Sequence, residues 1–256
     1  MPEASTSATP SHAAARPASV PQYRIRPRAF VLGILLIPPT AYWVVMMELM
    51  RYSGHPTTIS LFFNVIFTLL VLLALNYPLS RWRPDWALTQ AELLVVYSML
   101  CIGSSIAGHD MFQVLVPLLA EPLESATPAN HWQQLFFRYL PSGMIVKDTR
   151  AVEGFYRGLT TAYTLSRLRA WTAPMLWWGA YAFALLAAML CINAILRRRW
   201  MEEERLSYPI TVLPLRITEP GGRLHRNWAM WAGFALAAAL DVLNGLHALY
   251  PKVPYL

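Results

Sequence analysis

One stretch of this chain strongly limits what the chain can fold into. Residues 171–196 contain no Asp, Glu, His, Lys or Arg in 26 consecutive positions. A helix rises about 1.5 Å per residue and the hydrocarbon core of a bilayer is about 30 Å thick, so this stretch can cross a membrane. Arg197, Arg198 and Arg199 follow it directly. Because basic residues collect on the cytoplasmic side of membrane proteins, we interpret these three arginines as orientation determinants.

Four further apolar stretches of similar length predict an all-α integral membrane bundle of five transmembrane helices. The predicted helices lie at 29–50, 58–79, 88–108, 171–196 and 228–250. The third either extends to residue 119 or is followed by a separate half-helix. Pro38 and Pro39 are expected to kink the first, since each proline removes a helical hydrogen bond. Composition agrees, because 14% of the residues are charged, against about 25% in soluble domains.

The regions outside the apolar stretches have different characters. Residues 1–22 are rich in Ala, Ser, Thr and Pro, which predicts a disordered cytoplasmic tail ahead of a transmembrane domain at 23–256. The outer segment 120–170 is too long for a bare connection, and we expect surface helices in it. One of them should begin at His131, with Asn130 as its cap and Trp132, Leu135 and Phe136 on one face. This segment is either a lid over helix ends or a gate.

The distribution of basic residues predicts the orientation of the bundle. With the amino terminus in the cytoplasm, 13 Lys and Arg residues lie inside and 8 lie outside. Six of those eight fall within the long outer segment, where the rule is weaker. We therefore expect a cytoplasmic amino terminus and a carboxyl terminus on the outer side.

Charged residues at membrane depth are the first candidates for function, because each is costly to bury in lipid. Asp241 lies fifteen residues beyond Arg226, about 22 Å along the fifth helix. Asn244 and His247 follow it at steps of three residues, which gives a polar stripe. Asp241 and Asn244 either line a proton or cation path or serve as hydrogen-bonded packing residues. Glu48 is expected to form a structural pair with Arg51, three residues later.

The inner segment 197–217, RRRWMEEERLSYPITVLPLRI, is the most distinctive string in the chain. Glu202 is expected to pair with Arg198, and Glu203 with Arg199, each four residues earlier. Pro209 and Pro214 predict extended or re-entrant backbone, since proline disrupts a regular helix. This backbone is either a pinned loop or part of a substrate path. The candidate path residues in it are Ser207, Tyr208 and Pro209.

No motif in the chain indicates catalysis. There is no Gly-rich phosphate loop, HExxH, GxSxG or CxxC sequence. We therefore expect no enzyme activity, catalytic residue, metal or cofactor. A membrane enzyme would require the fold to assemble a cluster from Glu92, His109, Asp110 and Asp241. The basic residues that give the chain its net charge of +7 lie beside the apolar runs. We therefore expect the lipid bilayer as partner rather than nucleic acid. Other membrane subunits or a self-oligomer are expected as further partners.

Three strings carry a resemblance to a known family: LTQAELLVVYSML, ATPANHWQQLF and RRRWMEEERLSYPITVLPL. They resemble an uncharacterised bacterial polytopic membrane protein family, a domain of unknown function, over residues 24–256. The ERLSYP motif is also similar to oligopeptide transporters. The resemblance implies a location in the bacterial cytoplasmic (inner) membrane and longer relatives, of which this chain is an amino-terminal portion. We expect a transporter-like protein, with a non-catalytic structural or assembly subunit as the alternative.

Overall fold

Helices make up all of the regular structure in the described part of this chain. The computed structural model describes residues 25–158, 160–161, 163–220 and 227–254. The α-helices within these ranges are α1 (Pro27–Val45), α2 (Phe63–Trp82), α3 (Gln90–Ala107), α4 (Phe112–Glu124), α5 (Trp132–Leu135), α6 (Thr149–Arg157), α7 (Leu165–Arg198), α8 (Pro209–Thr218) and α9 (Trp228–Leu249). The tail predicted to be disordered, residues 1–22, lies outside the described residues.

Five helical stretches in these ranges are long and apolar enough to cross a membrane. They are Pro27–Met50, Phe63–Trp82, Pro84–Glu124, Leu165–Glu203 and Trp228–Leu249. The prediction of an all-α chain with five such helices is therefore confirmed. The third stretch is interrupted at residues 108–111, so α3 and α4 are separate helices. The first remains helical through Pro38 and Pro39 and ends in the π-helical turn Met46–Met50.

Helices α1, α2 and α3 pack around one core. Its fully buried members are small or branched side chains: Ala29, Val65, Val96 and Leu100. Glycines bring α1 and α3 close together, since a Cβ atom on Gly103 would lie 3.1 Å from Ile37 Cγ1. Lipid chains are as apolar as leucine, so close packing of this kind is a main source of attraction between membrane helices.

A buried ion pair joins the first turns of α1 and α3. Arg28 donates from Nε to Glu92 Oε1 at 3.0 Å and from Nη2 to Glu92 Oε2 at 2.7 Å. Glu92 also accepts from the Thr89 N–H at 2.8 Å and so completes a capping box at the start of α3. The Glu92 side chain is fully buried and the Arg28 side chain is 29% exposed, so these bonds are partly shielded from solvent. We call this side of the bundle the arginine end.

Helix α8 corrects the prediction of extended backbone around SYPITVLP. Pro209 is the first residue of α8, where the missing N–H costs nothing and the fixed φ suits the first turn. Pro214 lies inside this helix of ten residues and is buried. Gln90 Nε2 donates to the Leu215 carbonyl at 3.2 Å and to Thr218 Oγ1 at 3.4 Å. Helix α8 therefore packs at the arginine end, beside the start of α3.

A second core lies at the opposite side of the bundle, between α4, α6 and the first half of α7. Its buried members are Leu119, Ala120, Val146, Ala151 and Val152. The Tyr156 hydroxyl donates to Glu121 Oε2 at 2.7 Å and connects α6 to α4. Burial, together with this bond to the carboxylate, raises the pKa of Tyr156 to about 12. The hydroxyl therefore remains a donor well above neutral pH.

Two local predictions are wrong. The helix predicted to begin at His131 is only the single turn Trp132–Leu135, followed by the 3-10 turn Phe137–Tyr139. The outer segment does contain the helix α6. Asn130 Oδ1 does accept from the Trp132 N–H at 3.2 Å. At the end of α7, Arg198 pairs with Glu202 as predicted. Arg199 pairs instead with Glu204, five residues later, since Arg199–Glu203 is a π-helical turn.

Helices α7 and α9 are the least covered elements. Only Pro174 and Ala182 are buried in α7. No residue of α9 is buried. The apolar surfaces of these two helices are therefore available to lipid or to other helices.

The Arg28–Glu92 pair yields the first prediction. Glu92→Gln should lower the free energy of unfolding by about 3 kcal/mol, because it leaves a partly buried guanidinium without its counter-charge. Equilibrium unfolding in mixed micelles, followed by tryptophan fluorescence, measures this change.

The matched control is Glu153→Gln, which removes an exposed pair with Arg157 on α6. It should change the free energy of unfolding by less than about 0.5 kcal/mol. Equal losses for the two variants would mean that the ion pair does not hold α1 against α3.

Candidate functional site

A carboxylate is buried at the end of the first apolar helix. Glu48 lies in the π-helical turn Met46–Met50, and 1% of its surface is exposed. π-Helical turns within longer helices often occur at functional sites, because the extra residue redirects side chains. Here the turn directs Glu48 into the bundle. Glu48 lies at the opposite end of α1 from Arg28, and we call this side of the bundle the Glu48 end.

Four uncharged donors bind the Glu48 carboxylate. The Thr57 N–H and hydroxyl donate to Oε1 at 2.9 and 2.7 Å. The His109 N–H and Gln113 Nε2 donate to Oε2 at 2.9 and 3.0 Å. Both oxygens are therefore satisfied without a cation. We call Glu48, Thr57, His109 and Gln113, together with the neighbouring His55, the Glu48 site.

The predicted ion pair between Glu48 and Arg51 is wrong. No ion pair involves Glu48 within residues 25–158, 160–161, 163–220 and 227–254, and Arg51 is exposed. The π-helical turn ends α1 just before Arg51, so the spacing of an ordinary helix no longer applies. Segments distant in the sequence supply the donors instead.

The break between α3 and α4 makes these donors available. The N–H groups at the start of a helix have no partner within the helix and attract a carboxylate. Gly108 ends α3 and lies against Thr57, since a Cβ atom on Gly108 would lie 2.7 Å from Thr57 Cβ. A glycine at 108 therefore lets Thr57 approach the break and bind Glu48.

Two histidine rings lie beside the carboxylate. The His55 and His109 ring centroids are 5.8 Å apart, and Tyr52 contacts the His55 ring at 4.9 Å between centroids. Tyr52 has a φ of 50°, a conformation that costs energy for a bulky side chain. His55 Nδ1 and Gln113 Oε1 are buried and have no hydrogen-bond partner among the described residues. Buried polar atoms are nearly always paired, so these two atoms mark a place for a water molecule or a ligand.

A line of buried polar groups continues from the Glu48 site into the bundle. Gln113 Nε2 also donates to the Ala107 carbonyl at 3.0 Å. Ser104, one turn earlier on α3, accepts from Asn64 Nδ2 at 3.0 Å. Asn64 and Ser104 are at most 1% exposed, and Asn64 Oδ1 has no hydrogen-bond partner in the part of the chain that the structure describes. We call the groups from Asn64 to Glu48 the polar track.

The residues predicted as path or coupling groups lie elsewhere. Asp241 is exposed on α9, and Asn244 is half-buried one turn later. Ser207 and Tyr208 are exposed just before α8, and Pro209 is its exposed first residue. No hydrogen bond joins Asp241 to residues 207–209 or to the polar track in the described part of the chain. The orientation determinants Arg197, Arg198 and Arg199 are exposed at the end of α7.

The charged residues considered for a membrane enzyme are spread over the structure. Glu92 pairs with Arg28 at the arginine end. His109 and Asp110 lie in the break between α3 and α4, at the Glu48 end. Among the described residues, no three His, Cys, Asp or Glu side chains form a group that could hold a metal ion.

Sequence comparison places the chain within a family. A protein-family model described as a family of unknown function (DUF6785) matches residues 19–256. The chain belongs to this family. The DUF6785 match covers every helix from α1 to α9, so it includes the Glu48 site and the arginine end. No curated protein and no solved structure matches the chain. The predicted relationship to a family of unknown function is confirmed.

The contact between Gly108 and Thr57 yields the second prediction. Gly108→Ala should lower the free energy of unfolding by about 1–3 kcal/mol, since the added methyl group displaces Thr57 from Glu48. Gly179→Ala on α7 is the control, because a Cβ atom there meets nothing within 4 Å. Thermal unfolding of the purified proteins measures both. A neutral Gly108→Ala variant would contradict the close contact.

Proposed function

We propose that this DUF6785 protein is a multi-pass, transporter-like protein of the bacterial cytoplasmic membrane, with its amino terminus in the cytoplasm. Glu48 is the proposed coupling carboxylate. One observation supports this role most strongly. The Glu48 carboxylate is fully buried and binds only uncharged donors, close to the break between α3 and α4. Acidic groups inside membrane helices are costly and commonly serve proton or ion pathways. The proposed role is non-enzymatic and requires no cofactor.

The Glu48 site is suited to exchanging a proton. A hydroxyl group both donates and accepts, so the Thr57 hydroxyl at 2.7 Å can donate to the carboxylate or accept from the protonated acid. No arginine or lysine would lose an ion-pair partner when the proton binds. His55 and His109 lie beside the site.

A proton-flux assay tests this proposal. The purified chain is reconstituted into liposomes that contain a pH-sensitive dye, and a pH gradient is imposed with and without a tryptic peptide digest as candidate solute. We expect flux above that of empty liposomes and at least a tenfold loss in Glu48→Gln, which keeps the shape of the side chain but cannot ionise. Glu153→Gln, at the exposed surface, should behave like the wild-type protein. Undiminished flux in Glu48→Gln would refute the role of Glu48.

Asp241 belongs to the same proposal as a second coupling group on α9, with Asn244 beside it and Ser207, Tyr208 and Pro209 as path residues at the arginine end. Asp241→Asn should reduce flux while leaving the oligomeric state unchanged. Flux measured in the same liposomes, together with native electrophoresis, separates these two effects.

A structural or assembly subunit is the second candidate function. The observation that favours it is the exposure of α7 and α9, which leaves large apolar faces for other membrane subunits or a second copy of the chain. In that role Glu48 would serve only to join the end of α1 to Thr57 and to the start of α4 around His109 and Gln113. Absence of flux in the wild-type protein, together with loss of assembly in Asp241→Asn, would favour this function over transport.

The orientation can be tested with two exposed serines that lie on opposite sides of the proposed membrane. Ser142 lies in the outer segment, and Ser207 lies before α8. In a background without Cys101 and Cys191, Ser142→Cys should react with an impermeant maleimide on intact cells. Ser207→Cys should react only after permeabilisation. The reverse pattern would place the amino terminus outside.

A further inference from the structure

An apolar groove runs between α1 and α2 and reaches the arginine end. Its volume is about 280 Å³, and its residues include Leu32, Leu72, Leu75 and Leu79, with Arg28 and Trp86 beside them. Its lining is mostly apolar, which suits an acyl chain lying against the leucines.

The arginine end carries a surplus of positive charge near this groove. Arg28 is neutralised by Glu92, but no ion pair involves Arg81 or Arg83 in the described ranges. These two arginines lie at the end of α2, two and four residues beyond Leu79 of the groove. Arg83 follows Leu79 by four residues and therefore lies on the groove side of α2. Arg81 lies on the other side of α2, with its guanidinium 4.6 Å from the centre of the Tyr77 ring.

Exposed aromatic side chains mark the same level. Trp82 and Trp86 are 82% and 71% exposed. Tryptophan is enriched where a membrane protein passes from hydrocarbon to headgroups, because its ring is apolar and its N–H is polar. Three levels therefore follow one another along the groove. The leucines lie where a lipid's acyl chain would lie, the tryptophans lie at the level of the membrane interface, and the arginines lie at the level of the headgroup.

From this arrangement we infer that the groove between α1 and α2 binds an anionic phospholipid, with one acyl chain against the leucines and the headgroup phosphate on Arg83, while Arg81 adds positive charge at the same level. A free phosphate ion would leave the apolar wall unused, and a zwitterionic lipid would leave the two guanidinium groups without a net counter-charge. The inference is independent of the proposed transport role, since it involves no residue of the Glu48 site.

Lipid binding to the purified chain tests the inference. Native mass spectrometry in detergent should give specific binding of phosphatidylglycerol over phosphatidylcholine. The double variant Arg81→Gln, Arg83→Gln should bind phosphatidylglycerol roughly thirtyfold more weakly, given the contribution of each basic residue near a membrane surface. The control is Arg197→Gln, Arg205→Gln, which removes the same charge from exposed arginines that have no ion pair among the described residues. It should bind within twofold of the wild-type protein.

A second pair of variants tests the acyl chain separately from the charge. Leu75→Trp fills the groove and should weaken phosphatidylglycerol binding about tenfold, whereas Leu185→Trp on the exposed face of α7 should not. Both variants keep the net charge, and size-exclusion chromatography verifies that they remain folded. Equal binding in Leu75→Trp and Leu185→Trp would overturn the inference. Competition by inorganic phosphate as strong as that by phosphatidylglycerol would also overturn it and assign the arginines to a free anion.

Discussion

The close contact between α1 and α3 organises the described structure, and a buried carboxylate fixes each end of it. Glu92 binds Arg28 at one end, and Glu48 binds the backbone and side chains around the helix break at the other. An apolar chain offers few polar partners, and a carboxylate buried without partners is very costly. The two acids therefore define how α1 and α3 align, and α2, α4 and α8 pack around that pair.

Glu92 and Glu48 are both buried carboxylates, but different kinds of group stabilise their charges. Glu92 has a cationic partner, so removing its charge leaves Arg28 unpaired and costs stability. Glu48 has only uncharged donors, and a change in its charge leaves no opposite charge behind. This difference explains why we assign Glu92 to the fold and Glu48 to function, although both are almost completely buried.

The sequence predicted those features that depend on neighbouring residues. The absence of charge over long runs was enough to predict five apolar helices, and spacing was enough to predict the pair between Arg198 and Glu202. It did not predict the Glu48 site, because the donors lie 9, 61 and 65 residues away in the chain. Local spacing instead favoured Arg51, and a π-helical turn made that spacing irrelevant. The clue in the sequence was the common location of Glu48, Thr57 and His109 at the outer ends of predicted helices.

The length of α7 has a mechanical consequence. Its 34 residues extend about 51 Å, well beyond a hydrocarbon core of about 30 Å. The first turns of α7 belong to the second core, which they form with α4 and α6. The last turn of α7 carries the arginines that precede α8. In a bilayer, α7 would extend beyond the hydrocarbon core and connect the core formed with α4 and α6 to the arginines before α8. Pro174 is buried in the first half of α7, where a missing backbone hydrogen bond allows it to bend. A bend at Pro174 would therefore let the core formed with α4 and α6 tilt while the rest of α7 keeps its direction.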